Sequence, residues 1–195
     1  MKKTLPPRSL LQKITYYVGN ALILLSLFGL LFTFYPIIQL YLFPPQAQTF
    51  IIQTLEEPYI QIDKINALAP IIEQVDPWNE AVYQKALKNG VAHAKGSSLP
   101  GQKGTVFLFA HSSGSPWELT RYNTVFFRLS ELEKGDTIII GRQKKRYTYS
   151  VTEKKEVWPT EVSYLKELEQ NQLIVQTCVP IGTSLKRLLI FASPK

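Results

Sequence analysis

The sequence contains one cysteine, and its surroundings suit a nucleophile. Cys178 follows the apolar run 173–177, and Arg187 precedes the apolar run 188–191. If the two runs are neighbouring antiparallel strands, the residues that flank their connection lie close together at one end of the sheet. A nearby cation favours the thiolate, which is the nucleophilic form of cysteine. The guanidinium can also hydrogen-bond a substrate carbonyl or the oxyanion that it becomes.

His111 could add acid–base chemistry to this pair. It follows the apolar run 106–110, and we expect it to join Cys178 and Arg187 if its strand points the same way. An imidazole there can protonate a departing amine, and the three side chains would suit acyl transfer through a thioester. Residue type and strand position alone leave another interpretation open, because lone cysteines and histidines are also common as inert core residues.

Composition indicates one modest domain with an appendage. The chain has 195 residues, 45% of them apolar, and a net charge of +7. Of its 22 lysines and arginines, four precede any acidic residue, which leaves 18 against 15 acidic residues from Glu56 onward. So small an excess disfavours nucleic acid as a partner of the domain. A single cysteine excludes an intramolecular disulfide and a cysteine-cluster zinc site.

No charged residue occurs between Lys13 and Glu56. Residues 14–43 are mainly Leu, Ile, Phe and Tyr, and about 20 apolar residues suffice to cross a membrane. A cleaved signal peptide is the alternative, but the run is too long for one. The basic residues before the run predict a cytoplasmic N-terminus. We therefore predict a cytoplasmic segment (1–13), a transmembrane anchor (14–43), a spacer (44–55) and an extracellular domain (56–195).

Strand signals dominate this domain. Short β-branched or aromatic runs alternate with Gly, Pro and polar turns, which is typical of a mostly antiparallel barrel or sandwich. The predicted strands are residues 59–62, 105–110, 136–141, 146–152, 173–177 and 188–192. One helix is predicted at 78–89, with Asp76 at its cap and Gly90 after its end. The long connection 153–171 is the candidate specificity loop, and a short helix is predicted within it at 163–169.

Several motifs follow one another in order along the domain. They are YIQIDKIN (59–66) with API (69–71), ALKNGVAH (86–93), PG (100–101), FAH (109–111), LEKGD (132–136) and TCVP (177–180), with Arg187 nine residues after the cysteine. Together they resemble the sortase family, the membrane-anchored cysteine transpeptidases of bacterial surfaces. Each fragment alone is weak, but ordered agreement over nearly the whole domain is specific.

The resemblance implies a fold, a reaction and a set of site residues. The fold is a closed, mostly antiparallel β-barrel of about eight strands with short helices. The catalytic residues are His111, Cys178 and Arg187, and Thr177 has a lesser substrate-binding role. The cysteine cleaves a C-terminal Leu-Pro-x-Thr-Gly-like sorting signal of a surface protein, and an amine from a cell-wall precursor or a pilin lysine resolves the thioacyl enzyme. No metal or organic cofactor is needed.

Three departures bear on the subclass, which stays open between class D- or E-like and unclassified. Ile174-Val175 stands where the family often has Thr-Leu. The segment 76–78 superficially resembles the lid of pilus-building sortases, but it follows the first strand, so we interpret it as a helix start. No second apolar run follows the domain, which disfavours the pilin-polymerising type.

Other interpretations remain open at this level. The chain could be an inactive, membrane-tethered peptide-binding module or a cysteine hydrolase of the same fold. His93 is a competing base, but it has no signature of its own, and we predict a packing or hydrogen-bonding role for it. The segment 144–146 is interpreted either as a contact for anionic cell-wall polymers or as a solvated hairpin edge, and both interpretations stay open. The three tryptophans, Trp78, Trp117 and Trp158, either border a peptide groove or fill the core.

Overall fold

The structure is a computed structural model that describes residues 10–42, 58–112, 122, 124–166 and 169–195. The chain divides into two units, residues 1–45 and 46–195. The predicted spacer at 44–55 and Trp117 lie outside the described residues.

The first unit contains one helix, α1 (Leu10–Leu42), within its described residues. The part from Leu10 to Tyr35 is long and apolar enough to cross a membrane, and its described side chains are exposed on every side. The hydroxyls of Ser26 and Thr33 donate to carbonyls one turn earlier, at Ile23 and Gly29. Such internal pairing is what a helix needs in lipid, where no water is available to polar groups.

The second unit is a closed barrel of eight strands among its described residues, in the spatial order β1-β2-β3-β4-β7-β8-β6-β5. This confirms the predicted architecture. Two neighbouring pairs, β2–β3 and β4–β7, are parallel, and the other pairs are antiparallel. The elements are β1 (Tyr59–Ile62), β2 (Ala67–Val75), α2 (Glu80–Leu87), β3 (Val91–Ala94), β4 (Thr105–Phe109), β5 (Thr137–Arg142), β6 (Lys145–Val157), β7 (Gln172–Val179) and β8 (Lys186–Pro194).

All six predicted strands are present, but the prediction missed β2 and β3. Strand β2 contains Pro70, which lowers local strand propensity, and it pairs with β1 on one side and β3 on the other. Strand β3 is only four residues long and buried throughout, so it lacks the alternation that marks a strand. Strand β6 runs to Val157, five residues beyond the predicted end, because it pairs with β8 over that length.

The predicted start of the helix was wrong. Helix α2 begins at Glu80, and the side chain of Asn79 caps it by accepting from the Val82 amide. Asp76 instead accepts from the Trp78 amide at 2.9 Å, which forms a turn before the helix. The second predicted helix is a 3-10 helix at Ser163–Lys166, and residues 167–168 lie outside the described part.

The strands that carry the predicted site residues are buried on both faces. On β7, Leu173 and Val175 enter the barrel core, whereas Ile174 faces outward into a second apolar cluster. Strands β4 and β8 contribute Phe107 and Leu189 to this outer cluster. The outer face of β4, β7 and β8 is therefore a partly covered surface rather than open solvent.

Gly141 allows a close contact that closes the barrel between β1 and β5. It lies opposite Tyr59 in the β1–β5 ladder, and a Cβ at this position would overlap the Tyr59 ring. Tyr59 is itself buried, so its ring has little room to move away.

We therefore expect Gly141→Ala to lower the free energy of unfolding by about 1–3 kcal/mol, the usual cost of overpacking a filled site. The measurement is denaturant unfolding of the full-length chain in detergent micelles, followed by tryptophan fluorescence. The same substitution made in a Tyr59→Ala background should cost much less. An equal cost in both backgrounds would mean that the new methyl group meets something other than this ring.

Candidate active site

Cys178 and Arg187 lie side by side at the end of β7 and the start of β8. They are register partners in the antiparallel ladder, so both side chains leave the same face of the sheet. Arg187 Nη1 donates to Cys178 Sγ at 3.3 Å and to the carbonyl of Ser184 at 3.0 Å. Ser184 belongs to the connection between the two strands. The connection thus holds the guanidinium against the sulfur, as the order of the two runs in the sequence predicted.

Two opposing effects act on the Cys178 thiol. Burial raises its pKa above the ordinary value of 9.0, and the positive charge of Arg187 offsets part of that rise. Burial is the larger effect because the half-buried sulfur loses water that would solvate a thiolate. The two effects together predict a thiol at neutral pH, with its sulfur accepting a hydrogen bond from the guanidinium.

His111 stands level with Cys178 on the other side of β7. Strands β4 and β7 run parallel, with Phe109 opposite Gln176, and the Ala110 amide extends the pairing by donating to the Gln176 carbonyl at 3.1 Å. The same register continued by two residues beyond Phe109 brings His111 beside Cys178. The condition set in the sequence analysis, that both strands point the same way, is met.

The three residues also share one face of the sheet. In β4, Leu108 and Ala110 belong to the barrel core, whereas Phe107 lies in the outer cluster. This alternation turns His111 outward, to the face that carries Cys178 and Arg187. The order β4-β7-β8 therefore brings an imidazole, a thiol and a guanidinium to one end of three adjacent strands.

Thr177 points in the opposite direction, into the barrel. Its side chain is 2% exposed, and its hydroxyl donates to the Ala110 carbonyl at 3.0 Å. The contact ties the residue before His111 to the residue before Cys178. The substrate-binding role of Thr177 stays a prediction, and this hydrogen bond gives the hydroxyl a structural partner.

Two further residues border the site that sequence reasoning did not single out. Gln84 on α2 has its Oε1 at 3.1 Å from His111 Nε2. Tyr164, in the connection between β6 and β7, stacks on Phe107 and donates its hydroxyl to Gln176 Oε1 at 3.0 Å. Burial raises the pKa of the Tyr164 phenol, and the charge of Arg187 partly offsets this. The only sequence signal for Tyr164 was its place in the long connection, and Gln84 had none.

His93 has the structural role that the sequence predicted. It is 1% exposed, its Nδ1 accepts from the Gln74 amide at 3.5 Å, and its Nε2 lies 3.0 Å from the Ser98 carbonyl. These partners fix the proton on Nε2. Burial lowers the pKa of His93, so the ring stays neutral. Both nitrogens therefore serve the fold.

The two described tryptophans do not fill the core. Trp78 is largely exposed beside α2, and Trp158 is half exposed. Lys186, the residue before Arg187, places its Nζ 5.3 Å from the centre of the Trp158 ring and 3.4 Å from Glu156 Oε2. The core-filling interpretation was therefore wrong for both, since neither ring is enclosed.

Comparisons with known proteins match most of the barrel domain. A family model described as the sortase domain matches residues 60–195. Sortase D of Bacillus subtilis (strain 168) is 32% identical over 136 residues, which are 68% of this chain and 60% of the length of that relative. Sortase A of Bacillus anthracis is 26% identical over 114 residues, 58% of this chain and 51% of that protein.

A solved structure shares the fold and was determined with a peptide motif. It is the sortase C of Clostridium perfringens with the C-terminal cell wall sorting motif, which has a TM-score of 0.56 and 27% identity. The alignment covers 70% of this chain and 69% of that one.

The opposing effects on the thiol predict how its reactivity depends on pH. Because the chain has one cysteine, iodoacetamide labels Cys178 specifically, and the labelling rate should rise with an apparent pKa above 9.0. Arg187→Met should raise that pKa further and slow labelling at any fixed pH, because the thiolate loses its neighbouring cation.

Lys186→Met is the matched control, since it removes one positive charge that contacts Glu156 instead of the sulfur. It should shift the labelling profile less than Arg187→Met does. Mass spectrometry of the folded chain at each pH measures the rate. An apparent pKa below 9.0 in the native chain would show that Arg187 outweighs burial.

Proposed function

The chain belongs to the sortase family, and from that premise we propose that it is a membrane-anchored cysteine transpeptidase that attaches proteins to the cell surface. The observation that carries the proposal is the 3.3 Å contact between Arg187 Nη1 and Cys178 Sγ, beside a strand whose register brings His111 to the same level. A nucleophile, a cation for an oxyanion and an acid–base group at one sheet end are the parts that acyl transfer needs.

The first half of the reaction forms a thioester. Cys178 Sγ attacks the carbonyl carbon of the threonine in a Leu-Pro-x-Thr-Gly-like sorting signal, and the bond from that carbon to the glycine nitrogen breaks. The thiol proton passes through His111 to the departing amine, so the glycine leaves as a neutral amine. The polypeptide before the cleavage point stays attached to the sulfur.

The second half releases the polypeptide to an acceptor. An amine attacks the thioester carbon, the carbon–sulfur bond breaks, and the proton that the amine loses returns to the thiolate through His111. The acceptor we propose is the amine of a cell-wall precursor or a pilin lysine. Because the net change is one amide exchanged for another, the reaction requires no redox partner.

Arg187 hydrogen-bonds the carbonyl oxygen of the substrate in both halves of the reaction. Its guanidinium is hydrogen-bonded to the sulfur that bonds to the acyl carbon, so the carbonyl oxygen of the bound acyl group falls within reach of the same fork. A fixed donor in a partly desolvated site stabilises a developing oxyanion more than water does. The Ser184 carbonyl helps to keep the fork in place before substrate arrives.

The membrane helix suits this substrate class. Residues 10–35 are long and apolar enough to span a bilayer, and basic residues precede them. By the positive-inside rule we propose a cytoplasmic N-terminus and a domain on the outer side of the plasma membrane. Surface proteins that carry a C-terminal sorting signal would meet the enzyme there.

The proposal is tested with the full-length chain in detergent micelles and a panel of sorting-signal peptides. Mass spectrometry should find a peptide adduct on Cys178, and an added amine such as triglycine should convert the adduct into a new amide. Cys178→Ala should give neither product. Cleavage that yields only the free acid at every amine concentration would identify a hydrolase. Peptide binding without any adduct would identify a binding module.

Arg187→Lys should lower kcat/KM by roughly 10²-fold, a typical cost of losing one oxyanion donor. Lysine retains the charge, but its ammonium cannot place two donors in one plane. The matched control is Lys186→Arg at the adjacent position, which should stay within a few-fold of the native chain. Unchanged turnover in Arg187→Lys would remove the guanidinium from the mechanism.

A further inference from the structure

The ring of His111 requires support from outside its own strand. Strand β4 ends at Phe109, and just beyond that end the Ala110 amide donates to the Gln176 carbonyl of β7. These contacts fix the main chain that leads to His111, but they leave the rotation of the imidazole undetermined. A general acid is effective only when the nitrogen that carries its proton faces the reacting atom.

Helix α2 provides that support through Gln84. The side-chain oxygen Oε1 lies 3.1 Å from His111 Nε2, which is hydrogen-bonding distance, and both side chains are half-buried. Because an amide oxygen accepts hydrogen bonds and does not donate them, this contact pairs with the tautomer of His111 that carries its proton on Nε2. The proton on Nε2 leaves Nδ1 as the basic nitrogen of the neutral ring.

The helix that carries Gln84 is itself held firmly. Ala86 and Leu87, on the same helix, are buried in the barrel core. Tyr83 makes an edge-to-face contact with Phe109, with ring centres 6.3 Å apart and planes at 78°. Residues 83 and 84 therefore contact residues 109 and 111, so two successive positions of α2 meet the end of β4. A support of this kind is rigid, unlike a glutamine on a loop.

We propose that Gln84 is the positioning residue for His111: it accepts a hydrogen bond from Nε2 and assigns proton exchange with Cys178 and the leaving amine to Nδ1. This inference rests on the transpeptidase function proposed above. The residue acts through the imidazole and does not touch the reacting atoms. When the ring is doubly protonated, Nε2 still donates to Gln84, and the second proton is the one transferred from Nδ1.

The neutrality of the amide matters for this role. A carboxylate at the same place would also orient the ring, but its charge would favour the imidazolium and make the proton harder to give up. A glutamine orients the His111 ring and selects its tautomer without adding an attraction to the imidazolium. Gln84→Glu is therefore the sharpest variant, because it keeps the shape of the side chain and adds only charge.

The first experiment reads the tautomer directly. The chain contains two histidines, so ¹⁵N-histidine labelling of the full-length protein in detergent micelles gives two ring systems, and His111→Asn assigns them. His93 serves as the internal reference, since burial lowers its pKa and keeps it neutral. We expect His111 in the native chain to carry its neutral-state proton on Nε2. A proton on Nδ1 would overturn the proposal.

The variants extend the test to titration. Gln84→Leu should abolish the tautomer preference of His111. Gln84→Glu should raise the pKa of His111 by about one unit, an effect of the size that a neighbouring carboxylate causes. Lys85→Leu, at the exposed neighbouring position on α2, is the control for placing leucine on this helix and should leave the His111 signals unchanged. An unmoved His111 pKa in Gln84→Glu would contradict the contact.

Turnover separates positioning from a purely structural role. Gln84→Leu should lower kcat by roughly 10- to 100-fold with KM within about twofold, because a misdirected acid slows the chemical steps and leaves peptide binding intact. Gln84→Glu should keep much more of the native kcat than Gln84→Leu does, and its pH profile of kcat should lie at higher pH than that of the native chain. Native kcat in Gln84→Leu would overturn the proposal.

Failure of this inference can be told apart from failure of the proposed function. A native chain that never transfers peptide would refute the transpeptidase, yet the tautomer and the titration of His111 would still decide whether Gln84 positions the ring. If Gln84→Leu does not fold, the native spectrum and Gln84→Glu decide the question.

Discussion

The register of β7 between its two neighbours is the constraint on which the site depends. Strand β7 pairs in parallel with β4 and antiparallel with β8, and these two ladders bring Cys178 to the level of Arg187 and His111. A slip of one residue would turn Cys178 into the barrel and bring Thr177 out. Along β7, Leu173 and Val175 face the barrel core, and Ile174 faces the outer cluster. A slip of one residue would exchange these two faces, so the packing of both clusters opposes it.

Covering the outer face gives the site its electrostatic character. Tyr164 lies over Phe107 and hydrogen-bonds Gln176, so the surface beside Cys178 is partly shielded from water. Shielding penalises the free thiolate, which is why burial raises the pKa of the Cys178 thiol despite the adjacent Arg187. A site shielded from water also has a lower effective dielectric constant, so the attraction proposed between Arg187 and an oxyanion would be stronger there than in water. The same partial burial therefore raises the pKa of the thiol and brings the guanidinium close to the sulfur.

Connections outside the ladders complete the arrangement of polar groups. Ser184 restrains the Arg187 fork, the Thr177 hydroxyl ties the end of β4 to β7, and Gln84 contacts the imidazole of His111. Ser184 and Gln84 contact two of the three chemical groups directly, whereas Thr177 contacts the main chain beside His111. The ladders make the three chemical groups adjacent, and these hydrogen bonds add restraints on the direction of the side chains.

Local pattern in the sequence determined six of the strands, the apolar helix and the adjacency of Cys178 and Arg187, because period-two alternation and strand-flanking positions are properties of nearby residues. The local pattern did not predict β2 and β3. Strand β2 contains Pro70 and β3 is a buried segment of four residues, so both form strands only because the closed barrel supplies partners for their backbone groups. The direction of β4 relative to β7, and with it the place of His111, was likewise decided by tertiary pairing. Gln84 had no sequence signal at all: a polar residue on a short helix becomes relevant only when that helix packs against the end of a distant strand, and such packing depends on the whole fold rather than on any local run of residues.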